Sequence, residues 1–146
     1  MDLKTCDTRI IEEILKNLSY FEIDNTLNIV KFTTDEILSI KKKIYAVRLK
    51  VIKSSQFVKY YVDKKLHRED GPAVEHFNGN KLWYQNGKLH RLDGPAVIYF
   101  NGTKEWWVNG KRHRLDGPAI ECANGYNAWH VNGKHISYFE LDHVLP

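Results

Sequence analysis

Apolar residues keep two different rhythms along the chain. Up to about residue 46 they recur at helical spacing, as in Ile10, Ile11, Ile14, Leu15 and Leu18, with Asp7 or Thr8 placed to cap the first turn. The same spacing predicts a second short helix after Asp24, carrying Leu27, Ile29 and Val30. A third is announced by Thr33-Thr34-Asp35-Glu36, where Thr33 and Glu36 stand three apart as a capping box requires, and Ile37, Leu38 and Ile40 follow. From about Val47 the apolar runs become short and alternate with turn residues, which is the rhythm of strands.

The strand region is a repeat. His67-Arg68-Glu69-Asp70-Gly71-Pro72-Ala73 returns as His90-Arg91-Leu92-Asp93-Gly94-Pro95-Ala96 and again as His113-Arg114-Leu115-Asp116-Gly117-Pro118-Ala119, at a step of 23 residues each time. Trp83, Trp106 and Trp129 keep that step, as do two Asn-Gly pairs in each unit. Asn-Gly between apolar runs signals a type I′ hairpin, because both central residues need positive φ. A two-residue turn at Asn78-Gly79 sets Phe77 opposite Asn80 and Val74 opposite Trp83, with Val97–Trp106 and Ile120–Trp129 as the equivalents. A second turn at Asn86-Gly87 sets Trp83 also opposite His90 and Trp106 opposite His113, and on the other face Glu105 opposite Arg114. Asp-Gly-Pro closes each unit, since Pro cannot donate to a ladder.

The expected fold is therefore α+β, a short N-terminal helical segment (1–46) followed by a repeat-built, meandering antiparallel β-sheet (47–146). Within the sheet region, 47–66 reads as a degenerate starting unit, with Tyr60 at the tryptophan position and Ser55-Gln56 at the first turn. Residues 67–135 are the repeats and 136–146 a C-terminal cap, where Ile136 and Ser137 replace His and Arg and Tyr138-Phe139-Glu140-Leu141 cover Trp129. One unit cannot bury its own aromatic face, so neighbours must stack.

Charge sharpens the division. Residues 1–66 carry 13 Lys and Arg against 9 Asp and Glu, residues 67–146 carry 9 of each, and all seven histidines lie in the second part. Lys41, Lys42, Lys43, Arg48, Lys50 and Lys53 form a basic stretch with no acid between Glu36 and Asp63. It reads first as a solvated helix end, and second as a contact for nucleic acid or an anionic membrane. The chain opens without the apolar region of a secretory signal and has no run near the roughly 20 apolar residues of a membrane span, so an intracellular place, in cytoplasm or nucleus, is expected. Cys6 and Cys122 match no metal or redox spacing.

Candidate chemistry is sparse. His67, His90 and His113 lie two or three strand spacings apart, roughly 10–14 Å, and a shared metal needs every ligand at about 2 Å. They read instead as imidazoles packed on indoles, with Asp70, Asp93 and Asp116 as turn caps and Trp83, Trp106 and Trp129 as core. There is no Gly-x-Ser-x-Gly elbow and no phosphate-cradling glycine loop, so no enzyme, no cofactor and no metal are expected. The expected partner surface is Tyr84 and an exposed Trp107, which share a face, with Arg91 and Arg114.

The units, read as His-Arg-x-Asp-Gly-Pro-Ala, Asn-Gly, Trp and Asn-Gly, resemble the divergent MORN-type repeats of large DNA viruses of amoebae, notably marseillevirus-like genomes, over about residues 58–135. The resemblance implies a curved sheet of hairpins used for protein or membrane-lipid contact, and no known activity. In those viruses such arrays often follow an F-box. Glu13-Ile14-Leu15, Leu18-Ser19-Tyr20, Asp24, Leu27 and Val30-Lys31-Phe32 resemble one over about residues 9–45, with Arg9-Ile10 where Leu-Pro usually opens it. That resemblance implies a Skp1-like ubiquitin-ligase adaptor held by the helices and a target held by the sheet. The expected function is a viral protein–protein interaction module acting on a host or viral protein. Two alternatives stay open: a peripheral binder of anionic membrane or nucleic acid through residues 41–53, and a self-assembling protein pairing through its sheet edges.

Overall fold

The computed structural model describes residues 34–137, with Glu22 and Glu140. The first two expected helices, Thr33 of the capping box, and the cover of Trp129 by Tyr138, Phe139 and Leu141 lie outside the described residues. The chain divides into two units, residues 1–50 with 62–64, and residues 51–61 with 65–146.

The first unit holds helix α1, Thr34–Arg48. Arg48 stands in its last turn, where a cation complements the exposed carbonyls, and its guanidinium also bonds Asp63 at 3.2 Å. The helix runs two residues past the expected boundary at 46 and passes straight into β1, Leu49–Lys53, where Val51 and Ile52 favour extended backbone.

After β1 the strands are β2 Phe57–Val62, β3 Lys65–Leu66, β4 Val74–His76, β5 Lys81–Leu82, β6 Tyr84–Gln85, β7 Lys88–Leu89, β8 Val97–Ile98, β9 Lys104–Glu105, β10 Trp107–Val108, β11 Lys111–Arg112, β12 Ile120–Glu121, β13 Asn127–Val131 and β14 Lys134–Ile136. Among the described residues these make one large sheet in the order β1-β2-β4-β5-β8-β9-β12-β13-β14, with β3 on β2, and two ribbons, β6–β7 and β10–β11. The fold is thus a helix followed by a large antiparallel sheet of hairpin strands. Val62, Ala73, Val74, Ala96, Val97, Ala119, Ala128 and Ile136 are the buried apolar residues among those described.

The first turn of each unit departs from the expected two-residue hairpin. The Gly79 N–H donates to the His76 carbonyl (2.9 Å) and the His76 N–H to the Asn80 carbonyl (2.9 Å), so three residues form the loop. Gly79 has φ +100° while Asn78 keeps an ordinary φ, which is a type I turn closed by a glycine bulge. The Asn78 side chain accepts the Asn80 N–H at 3.1 Å, and Asn101 and Asn124 do the same for Thr103 and Tyr126. The extra loop residue shifts the register by one. Val74 faces Leu82, Val97 faces Glu105 and Ile120 faces Ala128, so the expected Val–Trp pairs are not made. Phe77, expected opposite Asn80, sits on the loop 66% exposed.

The second turns follow the expected geometry. Asn86, Asn109 and Asn132 have φ near 50° and the glycines after them are also positive, as a type I′ turn needs. Tyr84 faces Leu89, Trp107 faces Arg112, and the His90 N–H donates to the Trp83 carbonyl at 3.1 Å. The starting unit obeys the same rules. The Tyr60 N–H donates to the Ala73 carbonyl as the Trp83 N–H does to that of Ala96, and the His67 N–H donates to the Tyr60 carbonyl.

Candidate functional site

The residues that recur in every unit are occupied in holding the array together. The Arg68, Arg91 and Arg114 guanidinium groups lie over the rings of Tyr60, Trp83 and Trp106, at 4.0, 4.3 and 3.9 Å. Each donates to the aspartate two residues on at 2.8–2.9 Å, and to the proline carbonyl four residues on. Arg68 and Arg114 also reach Glu75 and Glu121, at 2.7 and 2.6 Å. Burial works against the charge of Arg68 and Arg114, but the bonds to these carboxylates outweigh it and both titrate above their ordinary value. Their guanidinium groups hold Asp70 and Asp116 below the usual carboxylate range, and Arg91 does the same for Asp93. Arg114 is therefore committed to Asp116 and Glu121, and the expected pairing with Glu105 is not made.

The histidines have a second scaffold role. The Nδ1 atoms of His67, His90 and His113 accept the backbone N–H of Asn86, Asn109 and Asn132, in the second turn of the same unit, at 3.1, 3.2 and 3.1 Å. The expected stacking of imidazole on indole is absent among the described residues; the arginine takes the indole face. Neighbouring turns are tied further, because the N–H groups of Gly87, Gly110 and Gly133 donate to the carbonyls of Leu66, Leu89 and Arg112. At Ser137 the arginine position changes hands. Its N–H and hydroxyl both donate to Glu140 at 2.9 Å, and these bonds, with Lys134, bring Glu140 down to about 2.

Between successive Arg-x-Asp loops run two open grooves of about 570 and 390 Å³, floored by Trp106 and Trp83 and flanked by Leu92, which is 80% exposed. Their arginines are already bonded, so the grooves offer apolar surface and exposed aspartates.

The opposite ribbon face is where the units differ. Tyr84 and Leu89 in one unit become Trp107 and Arg112 in the next and His130 and His135 in the last. In the main sheet, Leu82 and Ala128 flank the equivalent position of Glu105. Glu105 is a carboxylate only 8% exposed in an otherwise apolar row. It accepts the Trp107 indole N–H at 2.8 Å, the Arg112 Nε at 3.3 Å and the Tyr99 hydroxyl at 3.4 Å. Arg112 also lies 4.9 Å from the Trp107 ring. Trp107 is thus half-buried and hydrogen-bonded rather than the expected exposed tryptophan, because the register puts Glu105 on its own face two residues away. Burial pushes the Tyr84 phenol up, and burial with the Glu105 charge pushes up that of Tyr99. Burial lowers His130, whose ring meets His135 edge-on at 5.2 Å.

The structure therefore splits the expected partner surface. Tyr84 and Trp107 occupy equivalent places on the varied ribbon face, while Arg91 and Arg114 belong to the repeated clasps. The basic stretch is divided between elements, with Lys41, Lys42, Lys43 and Arg48 on α1 and Lys50 and Lys53 on β1. Sequence reasoning missed Glu105, Arg112 and Tyr99 as a group. The signal was present: at each of these positions the residue breaks with its equivalents in the neighbouring units.

No group of three or more metal-ligating side chains converges among the described residues, and no helix there is long and apolar enough to cross a membrane. Searches for similar proteins return no matching family model, curated protein or solved structure.

Proposed function

We propose that this chain is a non-enzymatic protein–protein interaction module, a MORN-type array with a 23-residue step whose varied ribbon face holds the partner. One observation carries the reading. Residues that recur from unit to unit are consumed in bonds and ring contacts that hold the array together, whereas Tyr84, Trp107, Arg112, His130 and His135 recur in none and share one face. Aromatic residues and arginine are the types that dominate binding energy at protein interfaces. The resemblance to viral repeat proteins makes a host or viral protein the partner. The F-box resemblance adds a Skp1-like adaptor held by residues 1–45.

The test uses the full chain as bait in cell lysate, beside Tyr84→Ala/His135→Ala on the ribbon face and Leu92→Ser/Leu115→Ser on the loop face. A defined protein set kept by the loop variant and lost by the ribbon variant supports the reading. A set lost only by the loop variant would move the site to the grooves. Capture released by nuclease, or steeply by salt, would assign binding to nucleic acid or anionic lipid through the basic stretch. Removing residues 1–45 and losing only a Skp1-like protein would establish the adaptor arm.

A further inference from the structure

We infer that Arg112 is a fixed anchor for a carboxylate of an acidic peptide segment in the partner; this deepens the interaction reading and rests on it. Leu82 and Ala128 show that the row holding Glu105 needs no acid, and Leu89 shows that the position of Arg112 needs no cation. A carboxylate taken out of water is costly unless it is paired and hydrogen-bonded. Here that cost goes into immobilising an arginine. Glu105 takes the Arg112 Nε (3.3 Å), and the Trp107 ring, itself fastened to Glu105 through its indole N–H (2.8 Å), lies 4.9 Å from the guanidinium carbon.

Of the three guanidinium nitrogens of Arg112, only Nε is hydrogen-bonded among the described residues. The two terminal nitrogens are the pair that grips a carboxylate side by side. The Arg112 side chain is 36% exposed and that of Glu105 10%, so the arginine meets solvent far more than its anchor does. The repeated arginines differ on this point, since Arg68 and Arg114 each spend a terminal nitrogen as well as Nε on carboxylates of their own chain.

Charge selects the ligand class. Glu105 already offsets the charge of Arg112, and burial keeps His130 toward its neutral form. One shared cation suits a single carboxylate and leaves a phosphate dianion facing the Glu105 charge. The half-buried Trp107 and Tyr84 on the same face offer apolar surface for side chains flanking the acid.

The experiment is selection of a random linear peptide library on the intact chain, followed by affinity measurement on the full chain and two variants. Glu105→Leu/Arg112→Leu restores the type of residue found in the first full unit, so it folds without the cluster. Glu105→Leu alone keeps the arginine and removes its anchor. Expected are peptides enriched in Asp or Glu, a loss of roughly tenfold or more when that acid becomes Asn or Gln, a similar loss with the double variant, and an intermediate loss with Glu105→Leu. Peptides that bind the ribbon face with no required acid, or equally to the double variant, would overturn the anchor while leaving the interaction reading standing. Inorganic phosphate competing better than acetate at equal ionic strength would overturn the carboxylate assignment. A library yielding no binder to the ribbon face would overturn both.

Discussion

The two faces of the ribbons obey different rules. On one, Arg68, Arg91 and Arg114 repeat the same stack on an aromatic ring and the same bond to an aspartate, unit after unit. On the other, a tyrosine–leucine pair, a tryptophan–arginine pair and a histidine–histidine pair follow one another. The first face is uniform because each unit solves the same problem, covering the preceding unit's aromatic ring and satisfying its own second turn. The second is free to vary because the backbone bonds between units, from the N–H groups of Gly110 and Gly133 to the carbonyls of Leu89 and Arg112, do not depend on its side chains. Repetition in this chain marks scaffold, and departure from repetition marks the candidate site.

Breaking the uniform face should cost most. Trp106→Ala removes the ring beneath Arg114 and should destabilise by about 3 kcal/mol in denaturant unfolding, toward the lower end for a large aromatic because Trp106 is only half-buried. His113→Leu keeps the volume but leaves the Asn132 N–H without its acceptor. A loss of about 1 kcal/mol is expected, read as a lower urea midpoint with unchanged slope. The smallest effect is in pH. Asp70, Asp93 and Asp116 are held below their ordinary range when folded, so they bind protons more readily unfolded. Their contribution is complete above the unfolded carboxylate range and declines as pH falls through it. Unfolding midpoints should drop on acidification below about pH 4, and Asp116→Asn should flatten that slope.

Much of the scaffold was legible because local rules fix it. Asn86-Gly87 demands positive φ at both residues and gets it, and Tyr60 could be placed at the tryptophan position from spacing alone. The first turn was not legible, because Asn-Gly suits both a two-residue type I′ turn and a three-residue turn with a glycine bulge. The choice rests on the Asn78 side chain bonding the Asn80 N–H, which a sequence does not display. That one-residue difference moved Glu105 into the row of Val97 and Ile120. The cluster with Tyr99, Trp107 and Arg112 was hidden for the same reason. The histidines were recognisable as scaffold, but each bonds a turn backbone N–H nineteen residues on rather than the tryptophan opposite it, and hairpin register does not reveal that bond.

The distinction between scaffold and site is tested most directly by urea unfolding of Glu105→Leu/Arg112→Leu beside Arg112→Leu alone. Breaking the pair strands a buried carboxylate, so the single variant should lose about 2–3 kcal/mol, reduced from a fully buried case because Arg112 is partly exposed. Replacing both partners with the leucines of a neighbouring unit should return stability to the wild-type value or above it. A double variant as unstable as the single one would make Glu105 and Arg112 part of the scaffold and contradict the account.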